Sequence, residues 1–187
     1  MIILDAEIAN PIPPDDDGER IEGIQYAKGW KFPGTMGLAC VCIYKYPTDS
    51  FHLFGEYEID ELQQMINESD VIVGYKNIEF DNPLLRAAEI KIEDRKCYDI
   101  LKEIQNQIGY KKGTTLNDTV KANFPNAGKN GDGAAAPVLW QQGYHMKVAN
   151  YCMNDVRITK MLLDRILRFG YIKHPLNPTE ILRMRRP

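Results

Sequence analysis

The amino-acid sequence predicts one α/β domain over residues 1–187, with a mixed sheet of three antiparallel and then two parallel strands flanked by helices. Its 187 residues, 44% of them hydrophobic, suffice for a single well-buried domain. Apolar runs typical of β-strands come first in the chain. From about residue 60 onward, helical and strand-like segments alternate, which indicates parallel strand pairs.

Three apolar runs predict the antiparallel strands. They are MIILD (1–5), GLACVCIYKY (37–46) and SFHLFGEY (50–57). The turn at 47–49 is short enough to join the second and third runs as a hairpin. Three consecutive strands can therefore build an antiparallel start to the sheet.

Residues 9–36 connect the first two strands and contain PIPPDDDGER and KGWKFPG. Their prolines, glycines and acids predict an irregular insertion. Loops of this length in a small domain are usually functional or disordered, and this one departs just after Glu7, where it could cover a substrate cleft. Trp30 and Phe32 either stack on a base or pin the insertion to the body, which is the interpretation we favour.

The remaining elements alternate between helix and strand. In chain order they are a helix from Asp60, a strand at VIVGY (71–75), a helix near Pro83, a strand at KCYDI (96–100) that enters a helix, a helix capped by Thr114 or Thr115, and a long helix over 144–169 that ends at Gly170. The order βββαβαβα, with extra helices late, is typical of a ribonuclease H-like fold.

Charge is unevenly distributed along this chain, whose net charge is −3. Acids crowd its first part, and bases crowd its end, including a basic C-terminal tail at about 171–187. A basic tail beside an acidic centre suits a substrate with a phosphate backbone. A solvated helix face with a solubilising terminus explains the same pattern equally well.

The four cysteines lack CxxC spacing, so reduced thiols are expected, with Cys40 and Cys42 in the core. No segment has the length and apolarity of a membrane span, and the N-terminus lacks the basic region of a signal peptide. We therefore expect a cytoplasmic protein with no membrane partner.

Acidic residues near apolar strands are the main functional signal. Asp5 and Glu7 are two apart, so they project from the same face at the end of the first strand. Two carboxylates so placed offer the hard oxygen ligands that Mg²⁺ or Mn²⁺ prefers. By itself, however, such a pair is more often an ordinary pair of surface acids at the end of a strand.

Two further groups of residues carry similar signals. Tyr151 and Asp155 are four apart on the predicted long helix and share one face; alternatively they are a core tyrosine and an exposed aspartate. Asp81 begins a helix, where it could simply be a cap. Asn77 could hold its loop through backbone groups or reach toward a substrate.

Together these groups resemble the three motifs of the DEDD superfamily of 3′-to-5′ exonucleases, in the DEDDy subgroup with a tyrosine in the third motif. Asp5 and Glu7 match the first motif, NIEFD (77–81) the second and YCMND (151–155) the third. The resemblance spans nearly the whole chain, in order. It is strongest to small stand-alone predicted exonucleases of bacteria and phages and to the proofreading domains of B-family DNA polymerases.

The resemblance implies catalytic roles for these residues. Asp5, Glu7 and Asp155 would bind the metal that activates water, and Asp5 would also bind a second metal, with Asp81 assisting through water. Two Mg²⁺ or Mn²⁺ ions can stabilise the attacking and leaving oxygens of an in-line displacement. Tyr151 would orient the nucleophilic water.

Four residues are candidates for contact with the substrate. Ile8 stands where the family often has a small residue whose backbone contacts the terminal nucleotide, so an altered fit is expected. Asn77 and Phe80 belong to the second motif. Lys129, in the glycine-rich GKNGDGAAAP, could neutralise a phosphate, although a plain loop is the favoured interpretation. No catalytic role is expected for His52, His145 or His174.

The sequence thus predicts a metal-dependent exonuclease that acts on single-stranded 3′ ends, with DNA favoured over RNA, and releases nucleoside 5′-monophosphates. The alternative is a catalytically silent module that binds nucleic-acid ends or a partner protein. A bacterial or phage-encoded monomer in the cytoplasm is the default expectation. Delivery of the substrate by a helicase or polymerase is left open.

Overall fold

The computed structural model of this protein describes residues 1–14, 19–128, 131 and 133–187. Its main sheet has the strand order β3-β2-β1-β4-β5. The strands are β1 (Ile2–Ile8), β2 (Leu38–Lys45), β3 (Ser50–Phe54), β4 (Ile72–Gly74) and β5 (Cys97–Asp99). The pairs β1–β2 and β2–β3 are antiparallel, and β1–β4 and β4–β5 are parallel. The predicted ribonuclease H-like sheet is therefore confirmed.

Helices cover both faces of this sheet. They are α1 (Pro33–Met36), α2 (Ile59–Asn67), α3 (Asp81–Ala87), α4 (Ile100–Ile108), α5 (Leu116–Asn123), α6 (Ala136–Gln141) and α7 (His145–Phe169). Thr115, one of the two predicted caps, begins α5 in a reciprocal capping box with Asp118. Gly170 ends α7 with a φ of +73°, in the left-handed region that favours glycine. Within the described residues, no helix combines the length and apolarity needed to cross a bilayer.

The period-two pattern of β1 divides the core into two halves. Ile3 belongs to the apolar cluster that contains Val156 of α7. Leu4 belongs to the cluster on the other face, which contains Leu85 of α3. Asp5 lies two residues beyond Ile3, so it shares the face that α7 covers.

β1 is longer than the sequence indicated. The predicted run ended at Asp5, whereas β1 continues to Ile8 because β2 pairs with it along this whole length. A register shift between Glu7 and Ile8 marks an irregularity at the end of the pairing. The first pair of acids therefore lies within the strand and not at its end.

The insertion over 9–36 is tied to the body by one side chain of α6. The amide nitrogen of Gln141 donates to the backbone oxygens of Ala9 (3.0 Å) and Gln25 (2.7 Å). Its amide oxygen accepts from the backbone nitrogen of Gln25 (2.8 Å). These bonds give an irregular segment a defined path over the domain, at both its start and its middle.

The basic segment at 171–187 contains an antiparallel hairpin, β6 (Tyr171–His174) and β7 (Asn177–Arg183). Its alternating apolar side chains Ile172 and Leu182 are buried, and so is Met184 beyond β7. The hydroxyl of Tyr98 donates to the backbone oxygen of Arg185 at 2.6 Å. The prediction of a tail rested on the charge of this segment. Its few alternating apolar residues nevertheless form a hairpin that packs on the body.

Removal of residues 171–187 is expected to lower the melting temperature of the protein markedly. Each large apolar side chain that loses its burial forfeits about 1.5–3 kcal/mol. The control is a double variant, Arg183→Gln with Arg186→Gln, which removes two exposed charges and leaves the hairpin in place. Thermal denaturation of the three proteins provides the measurement, and a truncated protein as stable as wild type would contradict a structural role for the hairpin.

Candidate active site

All five motif residues line one cavity of about 550 Å³. They are Asp5, Glu7, Asp81, Tyr151 and Asp155. Parallel pairing of β1 with β4 is limited to Ile2–Ile72 and Ile3–Val73, so the second half of β1 has no strand neighbour on that side. The cavity lies at this opening, outside the carboxyl ends of the parallel strands, where α/β sheets commonly bind ligands.

The first motif faces α7. Ligand atoms of Asp5, Glu7 and Cys152 lie within 4.8 Å of one another. Cys152 donates its thiol hydrogen to Asp5, with its Sγ 3.4 Å from the backbone oxygen and 3.5 Å from Oδ2. Burial, a hydrogen bond with Cys40 and the charge of Asp5 hold the pKa of this thiol well above its usual range. The thiol of Cys152 therefore stays protonated and is an uncharged hydrogen-bond donor to Asp5.

Asp81 connects the second motif to the first. Its Oδ1 accepts a 2.8 Å hydrogen bond from the backbone nitrogen of Ala6 in the unpaired half of β1. Burial, with a smaller effect from the charges of Asp99 and Asp155, raises the pKa of Asp81 from 3.8 to about 7, against the lowering effect of the Ala6 bond. α3 begins at Asp81 without a side-chain cap, so the interpretation of this residue as a helix cap is wrong.

Asn77 is fully buried and does not belong to the described residues that line the cavity. Neither its amide nitrogen nor its amide oxygen has a hydrogen-bond partner among the described residues. The residue lies tightly against the end of β4, because a Cβ at Gly74 would be 2.5 Å from the Cβ of Asn77. The side chain of Asn77 therefore makes neither the backbone hydrogen bonds within its loop nor the contact with the cavity that the sequence allowed.

Asp99 holds the turn that contains Asn77 and was not foreseen as a site residue. Its carboxylate accepts from the backbone nitrogens of Lys76 (2.9 Å) and Ile78 (3.3 Å), and it also caps α4. Burial raises the pKa of this carboxyl, while the backbone N–H groups lower it. The sequence signal for Asp99 is its position as an acid at the end of the strand predicted at KCYDI.

The third motif is packed against the glycine-rich segment before α6. A Cβ at Gly131 would lie 2.9 Å from Cδ2 of Tyr151, and one at Gly133 would lie 3.0 Å from its hydroxyl. A side chain at position 131 would therefore displace this ring, and one at position 133 would crowd its hydroxyl. Tyr151 and Asp155 are both buried on one face of α7, as the four-residue spacing predicted, and Asp155 is not an exposed residue.

Aromatic side chains border the cavity. Trp30 of the insertion and Phe80 of the second motif line it, with ring centroids 5.9 Å apart and ring planes inclined by 59°. Trp30 is 66% exposed and Phe32 is 51% exposed. The exposure of Phe32 does not fit the pinning interpretation, whereas Trp30 both contacts Phe80 of the body and leaves much of its surface exposed in the cavity. Ile8 lines the cavity, whereas Lys129 lies outside the described residues.

Three lysines complete the lining, and sequence reasoning did not identify them. They are Lys76, Lys111 and Lys112. The histidines at 52, 145 and 174 do not belong to the described residues that line the cavity. The site thus combines buried carboxylates, a buried phenol, an exposed aromatic surface and nearby ammonium groups.

Comparison with solved structures finds similarity to the family B DNA polymerase from the hyperthermophilic archaeon Pyrobaculum calidifontis. The TM-score is 0.61 and the sequences are 16% identical, over 90% of this chain and 24% of the polymerase chain. At this identity the likeness shows the fold, and this chain spans about a quarter of the polymerase. No family model and no curated protein sequence matches this chain.

Substitution Asp81→Asn is expected to raise the melting temperature of the metal-free protein more at pH 8 than at pH 5. The folded-state pKa is raised from 3.8 to about 7, so between these values the folded protein retains a proton that the unfolded chain has lost. The free energy of unfolding of wild type therefore falls as the pH rises through this window. Each kcal/mol of relieved repulsion is worth roughly 2–4 °C in a domain of this size.

The measurement is thermal denaturation in EDTA at both pH values. Asp70→Asn, at an exposed position outside the cavity lining, is the matched control. An equal change in melting temperature at pH 5 and pH 8 for Asp81→Asn would contradict the raised pKa of Asp81 in the folded protein.

Proposed function

We propose that this protein is a metal-dependent 3′-to-5′ exonuclease that hydrolyses phosphodiester bonds at single-stranded 3′ ends. The observation that carries the proposal is the convergence of Asp5, Glu7, Asp81, Tyr151 and Asp155 on one cavity, from segments up to 150 residues apart in a chain of 187. A structural protein has no need for four carboxylates around one cavity, since their mutual repulsion costs stability.

The donor set fits divalent metals that prefer oxygen ligands. Asp5, Glu7, Asp81 and Asp155 would hold Mg²⁺ or Mn²⁺, in the proposed arrangement two ions. When bound, such ions lower the pKa of water and stabilise negative charge on the attacking and leaving oxygens. The raised pKa of Asp81 supports this assignment, because a nearby cation would offset the burial and the acidic neighbours that favour its protonated form.

The side chains of the protein would position the reactants. The phenol of Tyr151, fixed against Gly131 and Gly133, would orient the water that attacks the terminal phosphorus. That water would form the new P–O bond, and the 3′ oxygen of the preceding nucleotide would leave. The product would be a nucleoside 5′-monophosphate, with the strand one nucleotide shorter.

The shape of the cavity supports a single-stranded substrate. Exposed Trp30 and partly buried Phe80 line the cavity and offer faces on which an unpaired base can stack, and such stacking tolerates any base. DNA is the favoured substrate because of the resemblance of the third motif to polymerase proofreading domains. RNA is the second choice, since a contact to the 2′-hydroxyl would decide between them.

Digestion of 5′-labelled single-stranded DNA and RNA is expected to give a ladder that shortens from the 3′ end with Mg²⁺ or Mn²⁺ and not with EDTA. Asp155→Ala is expected to abolish the ladder while leaving the protein folded, because it removes a negative charge that acts on buried Asp81 in the metal-free site. Asp70→Asn is the control for an acid outside the cavity lining. Intact oligonucleotides that still bind the protein would overturn the proposal in favour of a catalytically silent module.

Tyr151→Phe is expected to lower kcat by roughly 10²-fold, a typical loss for one oriented hydrogen-bond donor, and to change KM little. The ring is retained, so its packing against Gly131 is preserved, and only the hydroxyl that faces Gly133 is lost. Steady-state kinetics on a single-stranded oligonucleotide separate the two constants. A rise in KM at unchanged kcat would show that Tyr151 binds substrate and does not orient water.

A further inference from the structure

The loop at 110–113, between α4 and α5, brings two exposed lysines to the same cavity as the carboxylates. Among the described residues, neither Lys111 nor Lys112 forms an ion pair. Five acids line the same cavity, yet both lysine side chains are exposed and have no carboxylate within ion-pair distance among the described residues. They are therefore available to an anionic ligand.

The shape of this loop is fixed by its own sequence and by its neighbours. Gly109 and Gly113 flank it with φ values of +70° and +81°, which only glycine adopts without strain. The hydroxyl of Thr114 donates to the backbone oxygen of Lys111 at 2.8 Å. The hydroxyl of Tyr75, which follows β4, donates to the backbone oxygen of Thr114 at 2.6 Å.

The C-terminal hairpin supports the loop from behind. A Cβ at Gly113 would lie 2.7 Å from Cδ2 of Leu176, in the turn between β6 and β7. The loop is thus held between Tyr75, just after β4, and the hairpin. Its lysines are presented from a fixed backbone, which lowers the entropic cost of binding a ligand.

Bound cations would offset the negative charge of the carboxylates at the reacting phosphate. The other phosphates of the strand would still be repelled by these carboxylates. Phosphates adjacent to the reacting one therefore need their own positive partners. Lys111 and Lys112 are consecutive, and their flexible stems can reach successive phosphates. Tyr110 beside them is 81% exposed, and an aromatic side chain next to basic ones is typical of surfaces that bind single strands.

We propose that the loop at 110–113 binds phosphates on the 5′ side of the bond that is cleaved, and so makes the protein prefer strands longer than a dinucleotide. This inference rests on the proposed exonuclease function, which defines that bond. The ligand is the backbone of a single-stranded nucleic acid, recognised by charge and not by base sequence.

The test compares the double variant Lys111→Gln with Lys112→Gln against a control pair, Lys91→Gln with Lys102→Gln, exposed lysines outside the cavity lining. Binding of fluorescent oligothymidylate of a dozen nucleotides is measured by anisotropy in EDTA over a series of salt concentrations. Each phosphate contact in a single strand contributes about 0.7 to the slope of log K against log salt, so the slope is expected to fall by about 1.4 in the loop variant. The control pair is expected to keep the wild-type slope.

A second readout uses hydrolysis with Mg²⁺. Relative to wild type, the loop variant is expected to lose kcat/KM on the long oligonucleotide and to keep it on thymidine dinucleotide, which has no phosphate beyond the cleaved bond. An unchanged salt slope, or an equal loss on both substrates, would overturn the inference while the exonuclease activity itself persists. Binding without hydrolysis by wild type would instead overturn the proposed function, and the salt slope would still decide whether the loop binds phosphates.

Discussion

The hydrogen bond from the backbone nitrogen of Ala6 to Asp81 is the interaction on which the candidate site depends. It joins residues 75 apart in sequence and links the strand of the first motif to the helix of the second. It exists because β4 stops at Gly74 and leaves the second half of β1 without a parallel neighbour. One early strand ending thus creates both the opening that becomes a cavity and the backbone donor that holds a carboxylate at its edge.

Around this bond the protein accepts an unfavourable concentration of negative charge. Asp81 is nearly fully buried, and burial together with Asp99 and Asp155 raises its pKa toward neutrality. Neutral donors surround the acids where they can, as with the Cys152 thiol beside Asp5 and the backbone N–H groups that reach Asp99. A local loss of folding stability of this kind is common at functional sites.

Local periodicity predicted much of this architecture. A spacing of two placed Asp5 and Glu7 on one face of β1, and a spacing of four placed Tyr151 and Asp155 on one face of α7, because these periods are properties of the backbone. Cys152 and Lys111 could not be found in this way. Their proximity to the acids follows from how α7 and the loop after α4 pack in three dimensions, and no local pattern encodes that. The hairpin at the C-terminus was missed because its few apolar residues alternate among many charges.

The insertion between β1 and β2 has its two ends side by side, since Ile8 and Leu38 are paired in the sheet. A segment whose ends are already held together can change length at small cost, about 0.6 kcal/mol of closure entropy for each doubling. Trp30 lies on this segment, whereas every carboxylate of the cavity lies outside it. Under the proposed function, replacement of this one loop would change the selectivity for substrate, while the chemistry assigned to the sheet and to α7 would stay unchanged.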